Sequence, residues 1–170
     1  MKLQLRPINR DDPWYDEARR LYEASFPPNE RSPFSALFSD FHGEEEIMAA
    51  LEETRFIGMA VLLTWQDITH ILYIAVEEEL RSRGYGSRIL ELIRKSYPGQ
   101  KIIADLERPE KKARNESQRE SRIAFYIKNG YSFTDIEYRL KNEDYCIMSN
   151  GGNVSRKAFG NFWEHFYSNR

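Results

Sequence analysis

The sequence predicts an α/β protein built on a mixed β-sheet with helices on both faces. Two observations predict it. Short β-rich runs alternate with segments of helical periodicity in the order βααββ, βα, βα, ββ, α. The run Ile71-Leu72-Tyr73-Ile74-Ala75-Val76 is apolar on both faces, as a central strand covered by helices must be. A chain of 170 residues is the size of one ordinary domain, and a single domain over 1–170 is expected.

Each element has its own signal. Lys2 to Ile8 alternates weakly and reads as a first strand. Asp12-Pro13 reads as a helix start, with Asp12 as cap and Pro13 at the first helical position. Trp14, Ala18, Leu21 and Tyr22 give that helix an apolar stripe, and Phe26-Pro27-Pro28 ends it. Ser32-Pro33 starts a shorter helix with Phe34, Leu37, Phe38 and Phe41 on one face. Ile47 to Glu53 and Phe56 to Trp65 read as an antiparallel hairpin turning near Thr54. Thr69 to Val76 is the central strand. A helix from about Ser87 to Ser96, a strand Lys101 to Leu106, and a helix from about Ser117 to Asn129 follow. In that last helix Ile123, Phe125, Tyr126 and Ile127 supply the apolar residues, and Gly130 stands where a left-handed cap belongs. Tyr131 to Leu140 and Tyr145 to Ser149 form a second hairpin around Lys141 to Asp144. A final amphipathic helix covers about Ser155 to Tyr167. Its Phe159, Phe162, Trp163 and Phe166 either pack on the sheet or form the surface of a homodimer.

Composition excludes several function classes. Hydrophobic residues make up 41% and charged residues 31%, which fits a globular protein and not a disordered one. The formal net charge of -2 argues against a nucleic-acid binder, which is usually basic. No stretch approaches the roughly 20 apolar residues that span a bilayer, and no apolar leader follows Met1, so a cytoplasmic protein with no membrane partner is expected. Cys146, the one cysteine, lies in an apolar run and reads as a core residue. His42, His70 and His165 are scattered without metal-ligand spacing, so no metal is expected. The aromatic residues Phe26, Phe34, Phe38 and Trp65 read as core, with some free to wall a substrate pocket.

The informative segment joins the central strand to its helix: Glu77-Glu78-Glu79, then Arg81-Ser82-Arg83-Gly84-Tyr85-Gly86-Ser87. Glycines at 84 and 86 permit unusual dihedrals and close approach of a ligand to the backbone. The turn opens on a helix N-terminus, where free N–H groups and the helix dipole favour an anion such as a pyrophosphate. Arg81 and Arg83 add charge beside it. Two glycines one residue apart also fit a plain strand-to-helix turn. No Gly-Lys-Ser/Thr follows, so this is not a Walker loop, and the third glycine of the dinucleotide fingerprint is missing.

Three segments together carry a resemblance: Leu72 to Val76, the Arg-x-x-Gly-x-Gly of Arg81 to Gly86, and Ala124-Phe125-Tyr126-Ile127-Lys128-Asn129-Gly130-Tyr131. In this order and spacing they resemble motifs A and B of the GNAT superfamily of N-acetyltransferases, and the element order extends the resemblance over nearly the whole chain. The resemblance implies a sheet whose central strands splay apart, with acetyl-CoA as co-substrate. Backbone groups near Ile74 and Val76 would bond the pantetheine arm, and the amides of Arg81, Arg83, Gly84, Tyr85 and Gly86, with Ser87, would hold the pyrophosphate. Tyr126 matches the tyrosine that protonates the departing thiolate; a phenol with a pKa near 10 is protonated at neutral pH and can donate. Ser121 stands where many members have an asparagine, and Asn115 is displaced from that position.

An acceptor ammonium must shed a proton, for which a carboxylate serves. Glu107, just past the strand that the family geometry puts beside the thioester, is the first candidate base, and Glu30, in the loop that lines the acceptor site in similar proteins, is the second. The expected activity is direct acetyl transfer to a primary amine, on a small molecule or a peptide. The alternatives are another acyl-CoA donor or a protein acceptor and, in a different class, a non-catalytic CoA-binding regulatory module.

Overall fold

The computed structural model describes residues 2–38, 44–109 and 115–167. Seven strands form one mixed sheet in the order β1-β2-β3-β4-β5-β7-β6, and four α-helices accompany them. Backbone proximity groups the chain into two compact units: residues 1–64 with 71–98, and residues 65–70 with 99–170.

The first unit begins with β1 (Leu3–Pro7), α1 (Tyr15–Ser25) and a 3-10 turn at Phe34–Phe38. α1 starts later than the sequence suggests. Asp12 is bound by Arg6 at 2.7 and 2.9 Å, and its Oδ1 accepts the Trp14 N–H at 3.0 Å. It therefore closes a turn ahead of the helix and does not cap it. The segment after Ser32 is a single 3-10 turn with Phe34 and Leu37 buried, and Phe41 and His42 lie outside the described residues. The strand β2 (Glu45–Glu52) pairs antiparallel with β1 and with β3 (Arg55–Trp65), as the hairpin pattern predicts. Glu53 takes φ 54° at that turn. The core of this unit gathers Ile8, Ala18, Leu21, Tyr22, Met59 and Val61. Tyr22 is fully buried but donates its hydroxyl to Ser32 O at 2.8 Å, so no polar group is stranded.

The strand β4 (Ile68–Val76) is covered only over part of its length: Ile68 to Ile71 are buried, while Leu72, Tyr73, Ile74 and Val76 stay partly exposed. Gly58 of β3 explains how closely β4 approaches there. A Cβ on Gly58 would stand 2.4 Å from Ala75 O and 3.2 Å from Val76 Cα. The helix α2 (Tyr85–Ser96) starts two residues earlier than predicted and buries Ile89, Leu90 and Ile93.

The second unit holds β5 (Lys101–Glu107), α3 (Glu116–Lys128), β6 (Ser132–Leu140), β7 (Glu143–Asn150) and α4 (Arg156–Tyr167). The strand β7 pairs antiparallel with β5 and β6. The β6–β7 hairpin turns on Lys141 and Asn142, at φ 50° and 66°, the paired left-handed geometry that suits a two-residue loop. Gly130, at φ 90°, ends α3, with Tyr131 N–H donating to Tyr126 O at 3.0 Å. The predicted apolar face of α3 is narrower than expected. Only Arg119 and Tyr126 are buried, and Ile127 is 53% exposed. In α4, Phe159, Phe162 and Phe166 are buried within this unit, which accounts for them as a packing face. Trp65 stacks on His165 at 4.5 Å.

Candidate functional site

The first unit carries the predicted anion-binding turn. From Val76 the chain makes a short 3-10 turn at Glu78–Leu80, then reverses at Ser82 (φ 64°) and Gly84 (φ 84°) into α2. Gly84 is the N-cap of that helix and offers no side chain to cap it, so the first amides of α2 keep their N–H groups for a ligand. Of the two glycines only Gly84 is left-handed, and Gly86 lies in the helix's first turn. Arg83 is exposed. Arg81 folds back, its Nε donating to Val76 O at 3.1 Å, which ties the turn to the end of β4.

Glu52, at the end of β2, anchors the same turn from beneath, a role the sequence did not announce. It is 7% exposed, accepts the Tyr85 hydroxyl at 2.5 Å and pairs with Arg88 at 3.3 Å. The Tyr85 hydrogen bond holds the Glu52 carboxyl below its usual range, and the same bond pushes the Tyr85 phenol up. The only sequence signal is a carboxylate closing the apolar run Ile47 to Leu51. Ile74 and Val76 fall in the partly exposed stretch of β4. Tyr73 beside them packs edge-on to Tyr22 and Phe26 at 4.9 and 4.8 Å. Its hydroxyl reaches Glu30 O at 3.4 Å, so Glu30 is held there by its backbone while its side chain is exposed.

The second unit holds Tyr126 and a network the sequence analysis missed. Tyr126 is buried on α3 between Phe125 and Tyr131, at 5.2 and 5.1 Å. Burial first, and then the charge of Asp105, push its phenol well above the usual tyrosine range, so it is held as a proton donor. Asp105 lies in mid-β5. Its Oδ1 accepts from His70 Nε2 at 2.9 Å and its Oδ2 from the Tyr138 hydroxyl at 2.5 Å. Burial raises the Asp105 carboxyl, but the His70 interaction and these two hydrogen bonds outweigh it and leave it below the usual range. His70 is only 4% exposed, and its Nδ1 is buried without a hydrogen-bond partner among the described residues. Phe162 packs edge-on to His70 at 6.0 Å, and Tyr138 lies against Tyr145 and Trp163. The signal was available. An aspartate in an apolar strand has to find a partner, and His70, one of three histidines read as scattered, sits in the equally apolar β4.

Glu107 lies two residues beyond Asp105 and is otherwise engaged. Its Oε2 accepts from Arg119 Nη2 at 2.6 Å and from Asn115 at 3.0 Å, while Glu143 shares the same Arg119 nitrogen at 2.6 Å. Asn115 Oδ1 also accepts from Arg119 Nε at 2.7 Å. Glu107, Asn115 and Arg119, with Leu106, Gln118 and Arg122, line a small recess at the start of α3. Among the described residues no group of histidine, cysteine and carboxylate side chains could hold a metal ion, and no helix is long and apolar enough to cross a membrane.

The model of the acetyltransferase (GNAT) family matches residues 13–131. Among solved structures, a GNAT-family protein from Bacteroides thetaiotaomicron is similar at 20% identity, covering 97% of this chain and 96% of that one with a TM-score of 0.81. A GNAT acetyltransferase from Elizabethkingia anophelis with acetyl-CoA bound is similar at 18% identity, 87% and 97% coverage and a TM-score of 0.58. The aminoglycoside 6'-N-acetyltransferase from Enterococcus faecium is similar at 15% identity, 86% and 96% coverage and a TM-score of 0.63. At these identities the likeness is one of fold. No curated protein sequence matches the chain.

Proposed function

The chain belongs to the GNAT acetyltransferase family, and from that premise we propose that it moves the acetyl group of acetyl-CoA to a primary amine, on a small molecule or a peptide, by direct transfer. The observation that carries this reading is the start of α2. An uncapped helix N-terminus behind a left-handed glycine, fixed by Glu52 and flanked by Arg81 and Arg83, suits a pyrophosphate. The partly exposed run Leu72–Ile74 and Val76 offers strand backbone to the pantetheine arm, which binds as an added strand does.

In the reaction the amine nitrogen attacks the thioester carbonyl carbon, the C–S bond breaks, and the thiolate takes the proton of Tyr126. The products are the N-acetylated amine and the CoA thiol, with one proton released for each ammonium consumed. Burial and the Asp105 charge keep Tyr126 protonated at neutral pH, so its proton is in place when the thiolate forms. For Glu107 to act as base it must first share or break its bonds to Arg119 and Asn115, and for Glu30 the part is contact with the acceptor at the exposed end of Tyr73. Cys146 is buried in β7 and takes no part, so no acyl-enzyme is assigned to it. A cytoplasmic setting, where a lone thiol stays reduced, fits the same reading.

Direct transfer requires both substrates to be bound at once. Initial rates measured over crossed concentrations of acetyl-CoA and an acetylated amine should give intersecting double-reciprocal lines. Parallel lines would point to an acyl-enzyme and contradict the mechanism.

A further inference from the structure

We propose that Asp105 is the anion on which the acceptor amine docks as its primary ammonium. The assignment rests on the acetyltransferase reading above and adds to it the group that recognises the acceptor.

Several shielded carboxylates of this chain are neutralised by arginine. Asp12 pairs with Arg6, Glu52 with Arg88, and Glu107 and Glu143 share Arg119. Asp105 differs. Among the described residues no lysine or arginine lies within ion-pair distance of it, and its two partners are the His70 ring and the Tyr138 hydroxyl. Burial raises its carboxyl, and the charge of His70 with the hydrogen bonds from His70 and Tyr138 more than offsets that and holds it below the usual range. Its one charge partner is therefore a titratable ring and not a lysine or arginine, and shielded charge is ordinarily paired, so an added cation would complete the pairing whenever the ring is neutral.

The geometry also selects the cation. Asp105 is the reachable end of the network at 23% exposure, against 4% for His70 behind it. Oδ1 accepts from His70, Oδ2 accepts from Tyr138 and a backbone N–H also reaches the carboxylate, so of its four or so acceptor positions about one stays open. A guanidinium binds a carboxylate best as a fork across both oxygens, which needs both faces open. A compact ammonium needs only one free acceptor position and carries three donors. His70 and Tyr138 act through Asp105 as positioning residues: the first fixes Oδ1 and has no other partner to turn towards, since its Nδ1 is unpartnered and buried. The charge of Asp105 reaches the phenol of Tyr126, so an amine docked there sits in the same electrostatic neighbourhood as the proposed acid.

The test follows Asp105 directly. Protein carrying 13C in its aspartate carboxyl groups, saturated with CoA, is titrated at constant ionic strength with the chlorides of propylammonium, spermidine and kanamycin, and with tetramethylammonium, which has no N–H to donate. The Asp105 resonance is identified by its loss in Asp105→Asn or, if that variant does not fold, by its shift in Tyr138→Phe. The expected result is a saturable shift of Asp105 with at least one of the three amines and none with tetramethylammonium. Folded Asp105→Asn should then bind that amine at least tenfold more weakly by calorimetry, with its CoA affinity unchanged. The proposal is overturned if no amine moves the resonance, or if tetramethylammonium moves it equally. Backbone amides of Ser82 to Gly86 report CoA in the same samples. CoA bound without an amine response sinks the docking assignment alone, whereas an amine response without CoA binding leaves the docking standing and sinks the acetyltransferase reading.

Discussion

Replacing Tyr126 by phenylalanine should lower kcat by about 10²- to 10⁴-fold, the usual contribution of a positioned general acid, while acetyl-CoA affinity stays unchanged. The substitution is clean for a structural reason. The ring stays to pack against Phe125 and Tyr131, and among the described residues the hydroxyl has no hydrogen-bond partner to strand. Thermal stability should therefore hold while turnover falls, and that split separates an acid from a core aromatic. The pH profile offers a second reading. Burial and Asp105 push the phenol above its ordinary value of about 10. Tyr126 then imposes no alkaline loss of activity below that pH. In stability terms the neutral phenol's contribution is complete below about 10 and is lost only as pH climbs through the raised folded value. A Tyr126→Phe enzyme with normal kcat would remove the residue from the mechanism.

The second large effect is on the fold. Gly58→Ala places a Cβ 2.4 Å from Ala75 O and 3.2 Å from Val76 Cα, both backbone atoms of β4 that cannot rotate aside. Relief requires β3 and β4 to separate, at an overpacking cost of about 1–3 kcal/mol or somewhat more. For a chain of this size each kcal/mol lowers Tm by roughly 2–4 °C, so a thermal melt should show a clear downward shift. Because β4 carries the exposed stretch proposed for the pantetheine arm, acetyl-CoA affinity should weaken with it. An unchanged Tm would mean that the strands have slack this geometry does not show.

Much of this architecture could be read from the sequence, because its signals are local. The alternation and turn residues of both hairpins, the glycine at the end of α3 and the apolar run of β4 each act over a few residues, and each element formed close to where it was expected. Helix starts were less legible. Asp12, bound by Arg6 and accepting the Trp14 N–H, closes a turn ahead of α1, and the helix begins at Tyr15. The apolar count in α3 gave no sign that Ile127 would face solvent. At the site, the turn at Gly84 was legible because backbone conformation is written in glycine. The Glu52, Tyr85 and Arg88 cluster joins residues 33 and 36 apart, and His70 and Asp105 are 35 apart. Pairings across strands have no short-range signature. A polar residue beside or within an apolar run was the only mark they left. Glu107 looked free in the sequence for the same reason, since Arg119 reaches it from the next helix.

The account stands on one claim, that the turn at Gly84 holds the pyrophosphate of acetyl-CoA. A Cβ at Gly84 meets no atom within 4 Å, so Gly84→Glu is tolerated in space and costs only the strain of a left-handed side chain, about 1–3 kcal/mol. It does place a carboxylate at the helix N-terminus where the anion should bind. Calorimetric titration with acetyl-CoA should show saturable binding to the wild type and none to folded Gly84→Glu. A well-folded wild type that binds no acetyl-CoA, or a variant that binds it as tightly, would contradict the account.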